Sequence, residues 1–456
     1  MSNEQRIQIL KDKRDIINAV SPSFCTAKWL QTTLYLQNGY NHSCHHPSPH
    51  KIPLEEIAED PSALHNSKYK KQQRALMLAG DRPAECSYCW NTEDLNNDYF
   101  SDRHYKTSDY WAWDRFNEIA DSNPDDNVVP SYLEISFSNA CNFACAYCSP
   151  EISSKWMEDI TKHGEYPTKN SSHNLEWLKQ SGRFPYTNSE YNPYVEAFWK
   201  WFPTILSKLK VLRITGGEPT MSKDMWKLFD YLIDNPVNIE LAINTNMCVP
   251  DNLINKLIEK INQLKAVGIK VDVYTSLEST DAQAEYVRDG LDFNKWITNV
   301  KKVLENTESS VSIMTTINIL SLPTFVNFVE LIMSLRKDFN KDFAYNRIPF
   351  SINYLRWPPH LQCTLLDNAQ RILYADTIES SVQDWLKYYR KEKYARIYLE
   401  EWDQINRFCD YLKTSKTANE YRVDFVKFIN AYDTRRNKNF KEIFPMYATF
   451  LEDWNA

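Results

Sequence analysis

Three cysteines stand at positions 141, 145 and 148, in the run Cys141-Asn142-Phe143-Ala144-Cys145-Ala146-Tyr147-Cys148. Thiolates at x3 and x2 spacing can converge on one group of soft metal. A four-iron cluster held by three of them keeps one iron open to an outside ligand, as a catalytic centre requires. A structural zinc wants a fourth Cys or His nearby, and only His163 and His173 follow within about thirty residues. A second run, Ile214-Thr215-Gly216-Gly217-Glu218-Pro219, joins two glycines to a carboxylate. Glycine permits close approach of backbone to a ligand, and Glu218 can take an ammonium group. The plainer reading is a turn that ends a strand. A third group, Cys25, Cys44, Cys86 and Cys89, precedes both. Four thiolates suit zinc or a four-iron cluster, and their spacing does not decide between them.

The elements that must position these groups are legible from periodicity. Leu133, Ile135 and Phe137 alternate with Glu134, Ser136 and Ser138, the pattern of a half-buried strand. The three-cysteine run therefore begins just past that strand's C-terminal end. Apolar runs at 211–215, 239–244, 271–276, 311–317 and 350–355 follow, with helical segments between them. Met225, Phe229, Leu232 and Ile233 mark one such helix behind Ser222 as its cap. Six strands alternating with helices predict parallel βαβ units. Six rather than eight predict an open, partial (β/α)6 barrel within an α/β fold, with active-site groups at the C-terminal rim. Residues 153–192 are expected as an insertion and 121–130 as a linker. Before the linker the one long periodic helix expected is 67–79, stopped by Gly80 and Pro83. The expected organisation is a Cys-rich module over 1–125, the barrel over 126–358 and a helical segment over 359–456.

With these motifs one βα unit apart, the chain resembles the radical S-adenosylmethionine (radical SAM) enzymes from about residue 131 to 356. Cys141, Cys145 and Cys148 match that family's CxxxCxxC motif, with the aromatic Tyr147 before the last cysteine. Gly216-Gly217-Glu218-Pro219 matches its GGEP motif, which the resemblance implies binds the cofactor's methionine amino group. It further implies a 4Fe-4S cluster that cleaves S-adenosylmethionine to a 5′-deoxyadenosyl radical, which abstracts hydrogen from substrate. An external one-electron donor of flavodoxin or ferredoxin type is implied with it. Thr215, Asn244, Asn246, Ser276, Glu278 and Asn318, at the strand ends, are then candidates for ribose and carboxylate contacts. Arg288, in Tyr286-Val287-Arg288-Asp289-Gly290, resembles an arginine near that carboxylate.

The Gly39-x4-Cys44 piece behind Cys25 is similar to the auxiliary-cluster modules called SPASM and Twitch, which usually follow the barrel rather than precede it. Four cysteines fit the single cluster of a Twitch module, so the resemblance implies a second 4Fe-4S cluster on Cys25, Cys44, Cys86 and Cys89. His45 and His46 beside Cys44 read as a ligand, a proton shuttle or a solvated loop. The C-terminal Asp433-Thr434-Arg435-Arg436 is similar to a tail that packs on such modules. Cys248, Cys363 and Cys409 are isolated and read as small core residues.

Composition narrows the partners. The chain has 456 residues, 14% of them aromatic, and a net charge of -7. Intrinsic disorder is excluded as the main state. An acidic chain is a poor candidate for gripping nucleic acid by counterion release. No segment reads as a membrane span or a secretory signal, so a cytoplasmic enzyme with reduced thiols is expected. The substrate expected is a peptide or protein. The alternatives are a small molecule or nucleotide and, from a different class, a zinc-binding structural or interaction protein.

Overall fold

The structure is a computed structural model, and it describes residues 3–96, 99–169, 173–187, 190–389 and 394–454. The strands among them are β1 (Gln31–Tyr35), β2 (Tyr40–His42), β3 (His50–Lys51), β4 (Tyr132–Ser136), β5 (Ala144–Cys145), β6 (Val211–Thr215), β7 (Glu240–Asn244), β8 (Val271–Ser276), β9 (Arg288–Asp289), β10 (Val311–Ile317) and β11 (Phe350–Tyr354). All six strands expected from alternation form. The chain divides into two compact units, one of residues 1–138, 182–216 and 230–241, the other of 139–181, 217–229 and 242–456. Strand β7 begins in the first and ends in the second.

In the first unit β4 and β6 run parallel, Tyr132 opposite Val211 and Ser136 opposite Thr215. Strand β1 adds in parallel on the other side of β4, Gln31 opposite Tyr132. Strands β2 and β3 continue the sheet antiparallel. Leu34, Leu133, Ile135, Leu212 and Ile214 are fully buried and supply its apolar face. Phe198, on the helix Pro193–Ile205, meets Phe137 edge-on with centroids 5.2 Å apart. In the second unit β10 lies between β8 and β11, parallel to both. The two-residue β5 and β9 pair antiparallel, Cys145 opposite Arg288.

Two expectations are corrected. The N-terminal segment holds a second long helix, Asn3–Val20, whose Ile7, Ile9 and Ile16 face solvent while Ile17 is buried. Its sparse apolar positions hide it from a periodicity reading. Strand β1 was also unexpected, because Gln-Thr-Thr carries no apolar alternation. The helix Lys68–Ala79 forms as expected, with Ser67 as its cap and Gly80 at φ 86 as its stop. The candidate core residues Met225, Phe229 and Leu232 of helix Lys223–Asp234 are fully buried.

Gly39 turns the chain from β1 into β2 at φ 69, and a Cβ there would lie 2.0 Å from the Tyr194 ring. Tyr194 Oη donates to the Ile52 carbonyl at 2.8 Å, and the Ile52 N–H to the Gly39 carbonyl at 2.8 Å. The ring is thus seated on the turn. Gly39→Ala is expected to cost at least about 2 kcal/mol, from overpacking together with a left-handed backbone. Urea unfolding checks this, and an unchanged midpoint would refute the seat.

Candidate metal and cofactor sites

The cysteine loop is held by side chains on the helix Ser154–His163 and just before it. Ser153 Oγ donates to the Phe143 carbonyl at 2.5 Å, and the Cys141 N–H to Ser154 Oγ at 3.1 Å. The buried Trp156 Nε1–H donates to the Cys145 carbonyl at 2.8 Å. Two of the three sulfurs have an N–H aimed at them, Cys141 Sγ from Phe143 at 3.4 Å and Cys145 Sγ from Arg288 Nη1 at 3.9 Å. Burial pushes the Cys145 thiol up to about 11 and Cys148 up to about 12, and raises Cys141, with neighbouring thiols adding to the last two. Binding of a metal would displace the protons of such thiols.

Among the described residues no three Cys, His, Asp or Glu side chains are set to hold a single ion. His163 is exposed. His173 is buried, stacked on Trp156 with centroids 4.3 Å apart. Neither histidine joins the cysteines in a group that could hold one ion. Three thiols on one loop, two of them with N–H donors toward sulfur, suit a soft-metal group.

The GGEP segment rests on the start of this loop. The Glu218 N–H donates to the Ala140 carbonyl at 2.7 Å, and a Cβ on Gly217 would stand 2.4 Å from that oxygen. Glycine at 217 is thus demanded by backbone against backbone. Glu218, 1% exposed, accepts at Oε1 from the Thr220 N–H (3.1 Å) and Oγ1 (2.7 Å), and at Oε2 from the Asn246 N–H at 2.6 Å. Burial raises its carboxyl, and these donors act against that. Its side chain therefore braces two loops instead of standing open as the sequence reading had it. Pro219 opens the 3-10 turn Pro219–Met221. Asn246 Nδ2 donates to Asn142 Oδ1 at 2.7 Å, and Asn142 Nδ2 to the Cys248 carbonyl at 3.0 Å.

Glu278, Arg288 and Tyr147 come together as a buried network. Arg288 donates through Nη2 (2.6 Å) and Nε (3.1 Å) to Glu278 Oε2, and Tyr147 Oη donates to Glu278 Oε1 at 3.1 Å. Burial lowers the Arg288 pKa, but Glu278, Tyr147 and Cys145 outweigh it and the net shift is upward. Asn244 Oδ1 is buried without a hydrogen-bond partner among the described residues, so it is available to a ligand. Ser276 is half-buried at the end of β8, and Thr215 Oγ1 donates to the Ile135 carbonyl at 3.4 Å. Asn318 is spent on its own turn: its Oδ1 accepts from the Leu320 N–H and its Nδ2 donates to the Thr316 carbonyl.

Sequence reasoning missed Asn142 and Thr220, and it singled out the tail Asp433–Arg436, at the end of helix Arg422–Arg436, as packing on the cysteine-rich module, whereas Arg435 and Arg436 bond Asp159 and Asp289. Tyr432 Oη donates to the Tyr286 carbonyl at 3.0 Å, and Arg436 Nε to Asp289 at 3.1 Å. Within the second unit the tail Asp433–Arg436 thus grips the β9 segment opposite Cys145.

In the first unit Cys25, Cys44, Cys86 and Cys89 line one cavity, with Lys28 and Arg103 in its wall. Burial pushes Cys44 up to about 11 and Cys86 and Cys89 up to about 12. Lys28 pairs with Glu85, and Arg103 with Glu93 at 2.7 Å. His46 hydrogen-bonds Asp102 at 2.7 Å and stacks on Tyr88, while His45 is exposed. Four thiols around one cavity make a donor set that suits zinc or an iron–sulfur cluster.

Residues 135–332 match the Radical SAM superfamily. The chain is 27% identical over 194 residues to a GTP 3′,8-cyclase of Aliarcobacter butzleri, covering 42% of this chain and 46% of that protein. It is 29% identical over 147 residues to the GTP 3′,8-cyclase of Sulfurimonas denitrificans, covering 32% and 36%. The chain thus spans less than half the length of these curated relatives. Among solved structures it is similar to Streptococcus suis SuiB bound to precursor peptide SuiA, at 13% identity and a TM-score of 0.34, over 78% of this chain and 69% of that one. No helix among the described residues is long and apolar enough to cross a membrane.

Arg288→Met leaves Glu278 buried with only the Tyr147 hydroxyl as a partner, which is expected to cost about 3–5 kcal/mol. Adding Glu278→Gln should recover most of that. Urea unfolding of both variants checks the pair, and a single variant losing under about 1 kcal/mol would show that it braces nothing.

Proposed function

Residues 135–332 form a radical SAM domain, and from that premise we propose an enzyme whose Cys141, Cys145 and Cys148 hold a 4Fe-4S cluster beside S-adenosylmethionine. The observation that carries this reading is the GGEP segment seated on the cysteine loop through Gly217 and the Glu218–Asn246 bond. When bound, the cluster and cofactor supply one-electron cleavage of a sulfonium bond and hydrogen abstraction from substrate. The residues of the chain hold and orient. The Phe143 N–H and the Arg288 guanidinium donate toward the sulfurs, stabilising them as thiolates. Backbone carbonyls of the Gly216–Glu218 turn can receive an ammonium group, with Glu218 fixing the turn. Asn244 Oδ1 offers an acceptor to the cofactor's polar groups. Electrons are proposed to come from an external donor of flavodoxin or ferredoxin type.

Residues 1–125 are proposed to carry an auxiliary 4Fe-4S cluster on Cys25, Cys44, Cys86 and Cys89. Four thiolates leave no iron open, so its role would be structural or electron transfer. The substrate we favour is a peptide or protein, consistent with an acidic, aromatic-rich chain. A nucleotide substrate is the second reading, favoured by sequence similarity to two GTP 3′,8-cyclases.

Cys145→Ala should abolish 5′-deoxyadenosine formation from S-adenosylmethionine under strong reductant while circular dichroism stays native. Retained cleavage would overturn the assignment. Replacing Cys86 and Cys89 together by Ala should lower iron from about eight to about four per chain. Cofactor cleavage at the other site should persist. Native protein carrying four iron and one zinc would refute the auxiliary cluster.

A further inference from the structure

In the first unit the two faces of the sheet differ in kind. Leu34, Leu133, Ile135, Leu212 and Ile214 are apolar and fully buried on one face. On the other, His42, Thr33, Glu134 and Arg213 stand in register across β2, β1, β4 and β6. The next row toward the strand ends holds Tyr35, Ser136 and Thr215. Residues opposite one another in register project to the same face. Parallel strands covered on both sides read as near-continuous apolar runs, so an acid, a base, an imidazole and four hydroxyls here serve something other than packing.

Two of the hydroxyls have no partner. Thr33 is 0% and Ser136 1% exposed, and neither Oγ atom meets a donor or acceptor among the described residues. Buried polar groups in folded proteins are nearly always satisfied, so these two wait on a ligand or on water held with it. Gly216 lies close against Ser136 Oγ, since a Cβ there would be 2.8 Å from it. Glu134 and Arg213 are both half-buried on neighbouring strands, about 4.8 Å apart along the sheet. Burial raises the Glu134 carboxyl while Arg213 and then Lys106 pull it down, which marks Lys106 as a second cation near this face.

We propose that these two rows form a substrate-binding floor, with Arg213 taking an anionic group, Glu134 an N–H donor about one strand spacing away, Thr33 hydrogen-bonding on the far side of Glu134 and Ser136 two residues further along β4. The planar fork of arginine matches carboxylate and phosphate alike. A peptide bearing an acidic side chain supplies the carboxylate and N–H, and a nucleotide supplies the phosphate and base N–H. The inference rests on the radical SAM reading and names the chemistry of its substrate.

Calorimetry on the full-length, iron-reconstituted protein tests it with two probes. GTP is the phosphate arm. An N-acetylated, C-amidated hexapeptide with one glutamate is the carboxylate arm, its glutamine counterpart the control. One arm should bind, Arg213→Leu should weaken that binding at least tenfold, and Arg213→Lys should restore part of it. Thr33→Val and Ser136→Ala remove only a hydroxyl and should each weaken it severalfold, so they carry the test if Arg213→Leu does not fold. Binding of GTP alone identifies the phosphate source, and binding of the glutamate peptide alone the carboxylate source. Wild-type protein that cleaves S-adenosylmethionine yet binds neither probe overturns the floor and leaves the enzyme reading intact. Binding unchanged in the variants overturns the floor too. Absence of cofactor cleavage, with probe binding still sensitive to Arg213, overturns the enzyme reading alone.

Discussion

A carboxylate cannot remain buried and ionised without partners, and two such carboxylates organise the cysteine loop. Glu218 and Glu278 are each 1% exposed. Glu218 gathers donors from Thr220 and Asn246, tying the turn after β6 to the end of β7. Glu278 gathers Arg288 and Tyr147, tying the end of β8 to the last turn of the loop. Since each must be satisfied for the chain to fold, the strand ends are brought to the cysteines as a condition of folding.

The surroundings of the thiols complete this preparation. A neutral buried thiol is inexpensive, whereas a buried thiolate needs N–H donors or cations. Cys141 and Cys145 have such donors already aimed at sulfur. In the first unit Lys28 and Arg103 border the four-cysteine cavity with Glu85 and Glu93 as counterions. Both groups of thiols have N–H donors or cations beside them that would favour thiolate once a metal binds.

Much of the framework was legible in the sequence because burial writes itself as period. Leu133 and Ile135, or Leu212 and Ile214, alternate since one face of each strand is dry. The three-cysteine run was legible because its ligands are adjacent in the chain. What stayed hidden depends on partners far apart in sequence. Glu218 beside two glycines looks open to a ligand until Asn246, 28 residues on, donates to it. Asn318 looks like a strand-end contact until Ser321 and Leu320 close a turn around it. Strand β1 was invisible because Thr32 stands on its apolar face where Leu133 marks β4, leaving Leu34 as that face's one apolar residue within the strand.

The sparing use of glycine follows from the same geometry. Beyond the Gly217 contact with Ala140, a Cβ on Gly290 would lie 2.7 Å from the Asn142 carbonyl and 2.9 Å from the Phe143 ring. The segment 140–143 is therefore pressed from two sides, by the turn after β6 and by the turn after β9, each at a residue without a side chain. Any side chain at either position would hold the turns off and lengthen the bonds that seat them, the Glu218 N–H to the Ala140 carbonyl and the Ala146 N–H to the Val287 carbonyl, both 2.7 Å. Backbone can lie against backbone at that distance only where Cβ is missing. The cysteine loop is thus fixed by its own peptide groups, leaving the side chains of Cys141, Cys145 and Cys148 free to serve as ligands.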